Sequence, residues 1–125
     1  MLVTRSTSGY AETVKRLTEA IASRGLTIFA RIDHADAAKE AGLELAPEEV
    51  AVFGNPRAGT PLMQSDPRIG IELPLRMLVW EDGERALLGY NDPRELAGRY
   101  DVEPHHATLE NMSALLAALA ADAAG

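Results

Sequence analysis

The chain has 125 residues and a mass of 13.4 kDa, so we expect residues 1–125 to form a single domain. Apolar residues make up 46% and charged residues 25%, the proportions of a globular chain. Twelve basic and 19 acidic residues leave a net charge of −7, and no segment forms a basic stripe. Binding of nucleic acid is therefore not expected. The absence of cysteine excludes disulfides and thiolate catalysis.

Membranes are also unexpected partners. No apolar run approaches the roughly 20 residues that span a bilayer, and an anionic membrane surface would repel this acidic chain. The N-terminal sequence MLVTRSTSGY has neither the basic start nor the apolar stretch of a signal peptide. A cytoplasmic location is the expectation.

In the N-terminal half, apolar periodicity alternates between that of strands and that of helices. Ser8 is the expected cap of the first helix, Gly25 its end, and Asp33 the cap of the second helix. The expected elements are strand 2–6, helix 10–24, strand 26–32, a short helix 33–42 and strand 49–54.

The C-terminal half predicts a hairpin and further helices. Asp66-Pro67 and Asp92-Pro93 each combine a capping aspartate with a proline at the first helical position. The expected elements are a loop 54–61, a short helical piece around Leu62, a hairpin over 75–90, a short helix 92–99 and a helix 105–121. The last five residues, ADAAG, are expected to fray.

Asp82-Gly83 is a favourable two-residue hairpin turn, and it predicts Trp80 opposite Arg85 and Val79 opposite Ala86. This register sets two glutamates opposite each other, which is its weak point. One face of the hairpin would carry Leu75, Met77, Val79, Ala86, Leu88 and Tyr90, and the other Arg76, Leu78, Trp80, Arg85 and Leu87. The order of elements predicts an α+β fold, an antiparallel sheet with helices on one face.

Both faces of the predicted sheet are apolar. The second face would carry Leu78, Trp80 and Leu87 together with Phe29 and Phe53, although such a face is normally polar. Burying one large side chain is worth about 2 kcal/mol, so five exposed ones call for a cover. We expect the partner of a homodimer to cover this face. The alternatives are the 54–74 segment and a bound ligand.

The segment GNPRAGTP has the Gly-four-Gly spacing of a phosphate-binding loop but has Thr60 in place of the lysine. Nucleotide hydrolysis is excluded on that ground. Two readings remain, a proline-braced turn with Asn55 bonding its own backbone, or a site in which Asn55, Arg57 and Thr60 hold a small anion. His34 and Tyr90 are candidate neighbours of that site.

Other titratable clusters give weaker signals. The pair Asp33-His34 could be a base with its orienting carboxylate, yet Asp33 is better explained as a helix cap. His105 and His106 lack the spacing that places two ligands on one helix face. Neither a metal site nor a cofactor is therefore expected.

Residues 20–100 resemble a known family. They include the Ile32-Asp33-His34 step, the segments FGNPRAGTPLM and LPLRMLVWE, and Tyr90-Asn91-Asp92-Pro93. The chain is similar in these motifs to the bacterial and archaeal domain of unknown function 302. The resemblance implies an α+β fold with a β-α-β4-α outline, like that of the TATA-binding protein, and homodimeric members. It implies no activity, cofactor or catalytic residue.

Three functions follow as hypotheses. The favoured one is a non-enzymatic homodimer that acts as a small-ligand-binding or accessory module. The second is an enzyme in which His34 and a carboxylate perform acid–base chemistry on a small acidic substrate. The third is a purely structural dimer.

Overall fold

The computed structural model describes all 125 residues, and its elements follow the predicted order. The strands are β1 (Leu2–Arg5), β2 (Thr27–Asp33), β3 (Glu48–Gly54), β4 (Leu75–Asp82) and β5 (Arg85–Tyr90). The helices are α1 (Tyr10–Ser23), α2 (His34–Glu40), α3 (Pro56–Ser65) and α4 (His106–Ala124), with 3-10 turns at Pro67–Ile71, Pro93–Gly98 and Glu103–His105.

The five strands form one antiparallel sheet in the order β1-β5-β4-β3-β2. This arrangement confirms the predicted α+β fold with its β-α-β4-α outline. Buried residues of α1, α3 and α4 belong to a single core cluster that packs on one face of the sheet. Its fully buried members include Leu17, Leu62, Met77, Leu109 and Leu116.

The other face of the sheet is the open face, which no helix covers. Its apolar side chains are half-buried or exposed, and none of them belongs to the buried core. Strand pairing assigns eight apolar residues to it, namely Val3, Ala30, Ile32, Val50, Val52, Leu78, Trp80 and Leu87. The 54–74 segment does not cover this face, because Leu62 and Ile69 pack into the core on the helix side.

The hairpin has the predicted faces but another register. Trp80 lies opposite Leu87, and Asp82 lies opposite Arg85, so the turn is Gly83-Glu84. Gly83 has φ +63°, which suits the first turn position. The predicted register was wrong by two residues. The actual register avoids the pairing of two glutamates and instead sets Asp82 opposite Arg85. A two-residue shift keeps each side chain on its predicted face.

Two aromatic residues were predicted on the wrong face. Phe53 pairs with Leu75 and is fully buried beneath the helices. Phe29 is the extra residue of a β-bulge in β2 and lies near the helix side at the sheet edge. The alternation of β2 reverses at this bulge, and a strict two-residue period cannot show such a reversal.

Three predicted ends also differ. Ser8 does not cap α1, because Gly9 occupies the N-cap position; the Ser8 hydroxyl accepts from Arg16. The expected loop 54–61 is mostly helical, since Asn55 caps α3 and Pro56 occupies its first position. The C-terminus does not fray, because the backbone and hydroxyl of Thr7 both donate to the carbonyl of Ala124 at 2.9 Å.

Two Asp-Pro-Arg sequences form the same local structure, which we call the DPR turns. In each turn the aspartate accepts from the backbone N–H and the guanidinium of the arginine two residues on. Asp66 is 4% exposed and also accepts from the N–H of Asp101 at 3.0 Å. This hydrogen bond joins the loop around residue 66 to the loop around residue 101. Arg94 holds the pKa of Asp92 at about 2, below its usual 3.8.

This depressed pKa predicts an acid-sensitive contribution to stability. The folded protein keeps Asp92 ionised below the pH at which the unfolded chain protonates it. The contribution is complete above about pH 5 and is lost as the pH falls from about 4 to 2. In urea titrations over this range, Asp92→Asn should lose less free energy of unfolding than the wild type. Asp36→Asn, whose side chain makes no hydrogen bond, is the control. An unchanged pH dependence in Asp92→Asn would contradict the assignment.

Candidate functional site

At the start of α3, the backbone N–H groups of the first turn all donate to Asn55. The Asn55 side-chain oxygen accepts from the N–H of Arg57 at 3.0 Å. The Asn55 carbonyl accepts from the N–H groups of Ala58 and Gly59, at 2.9 and 3.1 Å. Pro56 has no N–H to offer. The first turn of the helix therefore has no free backbone donor for an anion.

A cavity of about 190 Å³, the α3 cavity, lies between α3, the edge of the sheet and α4. Asn55 and Thr60, two of the three residues of the anion site expected from the sequence, both line it. Arg57 is exposed at the second position of α3 and does not line it. The apolar lining consists mainly of Leu26, Phe29, Met63, Leu73, Leu75, Met112 and Leu115.

His34 is far from this cavity. It is exposed at the first position of α2, where β2 ends opposite Glu49, whereas the cavity adjoins the other end of β2. Six residues of strand separate the two ends by about 20 Å. Asp33 caps α2 by accepting from Asp36 N–H at 2.8 Å. The structure therefore does not bring His34 to Asn55 and Thr60.

Tyr90, the last residue of β5, is 7% exposed and belongs to the core. Burial raises the pKa of its hydroxyl, and the nearby Asp92 carboxylate adds to the effect. It does not line the α3 cavity. Tyr90 is thus a core residue at the C-terminal end of β5 and lies outside the α3 cavity.

A second, polar cavity of about 280 Å³ adjoins the end of β5 and includes Asn91. Its charged groups are partly engaged with each other. Glu72 accepts a hydrogen bond from the Tyr100 hydroxyl at 2.8 Å and pairs with Arg99 at 3.3 Å. Arg76 on its rim has no ion-pair partner. No three His, Asp or Glu side chains come together in an arrangement that could hold a metal ion.

The sequence singled out Asn55 and Thr60, which line the α3 cavity, but gave no sign of the apolar side chains that form most of its lining. The Gly-four-Gly spacing and Asn55 pointed to the right segment. Phe29, Met63 and Met112 come from three separate elements, and single apolar residues in each carry no signal of a shared cavity. Only the bulge at Phe29 places that ring at the cavity edge.

The fold defines a two-layer α+β protein with one open sheet face. The family model described as domain of unknown function DUF302 matches residues 2–119, and the chain belongs to this family. A crystal structure of an uncharacterized conserved DUF302 protein from Bacillus stearothermophilus has the same fold. Its TM-score is 0.86 at 20% identity, covering 99% of this chain and 97% of that one.

Curated relatives are longer proteins. The fluoride-specific ion channel FluC 1 of Brucella suis biovar 1 (strain 1330) is 45% identical over 103 residues, which are 82% of this chain and 41% of that protein. The fluoride-specific ion channel FluC 2 of Brucella melitensis biotype 1 matches at the same identity over 38% of its length. The chain thus spans about two fifths of the relatives it matches. None of its own helices is long and apolar enough to cross a membrane.

The cap predicts a specific effect of substitution at Asn55. Asn55→Ala should lower the free energy of unfolding by about 1 kcal/mol, because it leaves the N–H of Arg57 without a side-chain acceptor. Asn55→Asp should stay close to the wild type, since aspartate caps equally well. Urea denaturation measures both. Equal stability of Asn55→Ala and the wild type would contradict the role of the cap.

Proposed function

We propose that the protein is a non-enzymatic accessory module that acts as a homodimer through its open face. The observation that carries the proposal is the row of apolar side chains across all five strands. Ile32 and Val3, at the two ends of this row, are 45% and 52% exposed. Exposed apolar area of this extent on a sheet favours a protein–protein contact.

The dimensions of the face support a specific contact. Five strands about 4.8 Å apart and about 20 Å long give a flat footprint of about 500 Å². Two such faces would bury about 1,000 Å², the lower bound of a specific interface. Pleating and protruding side chains such as Trp80 increase that area.

Charge distribution supports a second copy as the occupant. The chain carries −7, yet the open face holds only Glu48 and Asp82 against Arg5, Arg76 and Arg85. Arg5 and Asp82 pair with each other at 2.9 Å on the rim. The face is therefore close to neutral. Two copies repel each other least when these faces meet.

The relatives support an accessory role. In the Brucella proteins named as fluoride-specific channels, the matched region is about two fifths of the length. The present chain has no helix able to cross a membrane, so we assign it an accessory role and not conduction. Exposed His34, beside an Asp33 carboxylate engaged as a cap, supports a role without acid–base catalysis. The cytoplasmic location expected from the sequence is part of this proposal.

Dimerisation can be tested by sedimentation velocity on the wild type and on Ile32→Asp and Val3→Asp. We expect a wild-type dimer at tens of micromolar and at least about a hundredfold weaker association in each variant. A symmetric interface meets each introduced charge twice, and both charges lose water on burial. Ile71→Asp is the control, because Ile71 is 81% exposed and lies outside the open face.

Trp80 provides a second measurement because it is the only tryptophan and lies on the open face. Its fluorescence emission should shift to shorter wavelength as the wild-type concentration rises and stay constant in Ile32→Asp. A wild-type monomer at high micromolar concentration would overturn the proposal. So would a dimer that persists in both charged variants.

A further inference from the structure

We propose that the α3 cavity binds a small neutral molecule with an apolar ring or branched aliphatic body and a single hydroxyl or carbonyl oxygen. This proposal is independent of the dimer, because the cavity lies on the helix side of the sheet. The lining of the cavity, its size and two polar groups at its rim carry the inference.

The lining excludes a charged ligand. None of the 14 lining residues is charged, and most of them present carbon atoms. An ion would lose its water there without gaining a partner, which is strongly unfavourable. The anion expected from the sequence depended on helix N–H groups and on Arg57. Those N–H groups are engaged with Asn55, and Arg57 lies outside the cavity.

The volume sets the size of the ligand. An apolar protein cavity of about 150 Å³ holds benzene, so 190 Å³ suits one ring with a short substituent. Phe29 is 51% exposed and Met63 is 37% exposed at this site. A ligand that covers them would remove apolar surface from water, which favours binding.

Two polar side chains at the rim of the cavity, Asn55 and Thr60, are exposed and available to an oxygen of the ligand. Capping turns the side-chain oxygen of Asn55 toward the N–H of Arg57, which leaves the amide Nδ2 as a donor without a partner in the chain. The Thr60 hydroxyl, five residues further along the chain, has no hydrogen-bond partner in the chain either. A hydroxyl or a carbonyl oxygen of the ligand can bond either group at the rim.

Gly59 offers a way to close the cavity without breaking the fold. It is buried in α3 and lines the cavity. A Cβ added there would lie 3.7 Å from Leu73 Cδ1, an ordinary contact, and its φ is not in the left-handed region. Gly59→Leu should therefore fill the cavity, while helix propensity offsets part of the packing cost.

The test uses benzyl alcohol as the neutral probe and benzoate as its charged counterpart, followed by amide chemical shifts of the full chain. Benzyl alcohol should cause saturable shifts at Leu26, Met63 and Leu115, with a dissociation constant of about 1 mM. Benzoate should bind at least about tenfold more weakly. Gly59→Leu should abolish the shifts. Arg57→Ala should leave them unchanged.

A second pair of variants tests the polar groups without disturbing the cavity. Asn55→Asp keeps the cap but replaces the donor by a carboxylate, and Thr60→Val removes the hydroxyl at nearly constant volume. Thr60→Val should weaken benzyl alcohol about fivefold, the effect of one lost hydrogen bond. Asn55→Asp should weaken it less, because the ligand hydroxyl can donate to the carboxylate that replaces the amide donor. Benzyl alcohol should still bind Ile32→Asp if that variant is monomeric, which separates the cavity from the dimer.

Two results would overturn the proposal. One is the absence of shifts at the cavity amides when benzyl alcohol is present at about ten times the expected dissociation constant. The other is benzoate binding as tightly as benzyl alcohol with loss of its shifts in Arg57→Ala. That outcome would restore the anion site.

Discussion

The arrangement of the molecule depends on the crossover made by α1. β1 and β2 are the two edges of the sheet, and α1 connects them. Fourteen helical residues span about 21 Å, and four strand gaps span about 19 Å, so the helix is as long as the sheet is wide. After this crossing, β3, β4 and β5 return strand by strand to β1. The chain can then add α4 beside α1, and both helices lie on the same face.

One consequence is that the helices protect only half of the sheet. The core residues of β4, Leu75, Met77 and Val79, are buried under α1 and α4. Leu78 and Trp80, between and beside them, have no helix to cover them. The sequence of β4 is therefore apolar on both faces, whereas the helices cover only one of them. The second copy proposed above would cover the other.

The sequence predicts those features of the fold that depend on local pattern. The element order, the faces of the β4–β5 hairpin and the Asp33 cap follow from periodicity and capping chemistry. The register of the hairpin does not, because Asp82-Gly83 and Gly83-Glu84 are both acceptable turns. The choice between them depends on pairing Asp82 with Arg85. The α3 cavity likewise depends on contacts between distant elements, so the sequence could indicate only single residues of its rim, Asn55 and Thr60.

The DPR turns show how a short sequence can act at long range. In each turn the arginine folds back onto its own aspartate. Asp66 Oδ2, which binds the Arg68 guanidinium, also accepts from the N–H of Asp101, 35 residues away. The two loop regions on the helix side are joined through this carboxylate, which burial would otherwise penalise. This hydrogen bond positions two loop segments around the core without the burial of additional apolar area.

The bulge at Phe29 links the fold to both proposed surfaces. Ile28 pairs with Phe53 on the helix side, so an unbroken strand would also point Ala30 and Ile32 toward the helices and Arg31 toward the open face. The extra residue reverses this. Ile32 joins the apolar row of the open face, and Arg31 turns to the helix side, where it binds the buried Glu49 at 2.7 Å. Phe29 itself is displaced to the α3 cavity. One inserted residue therefore keeps a charge off the open face and supplies an aromatic ring to the cavity.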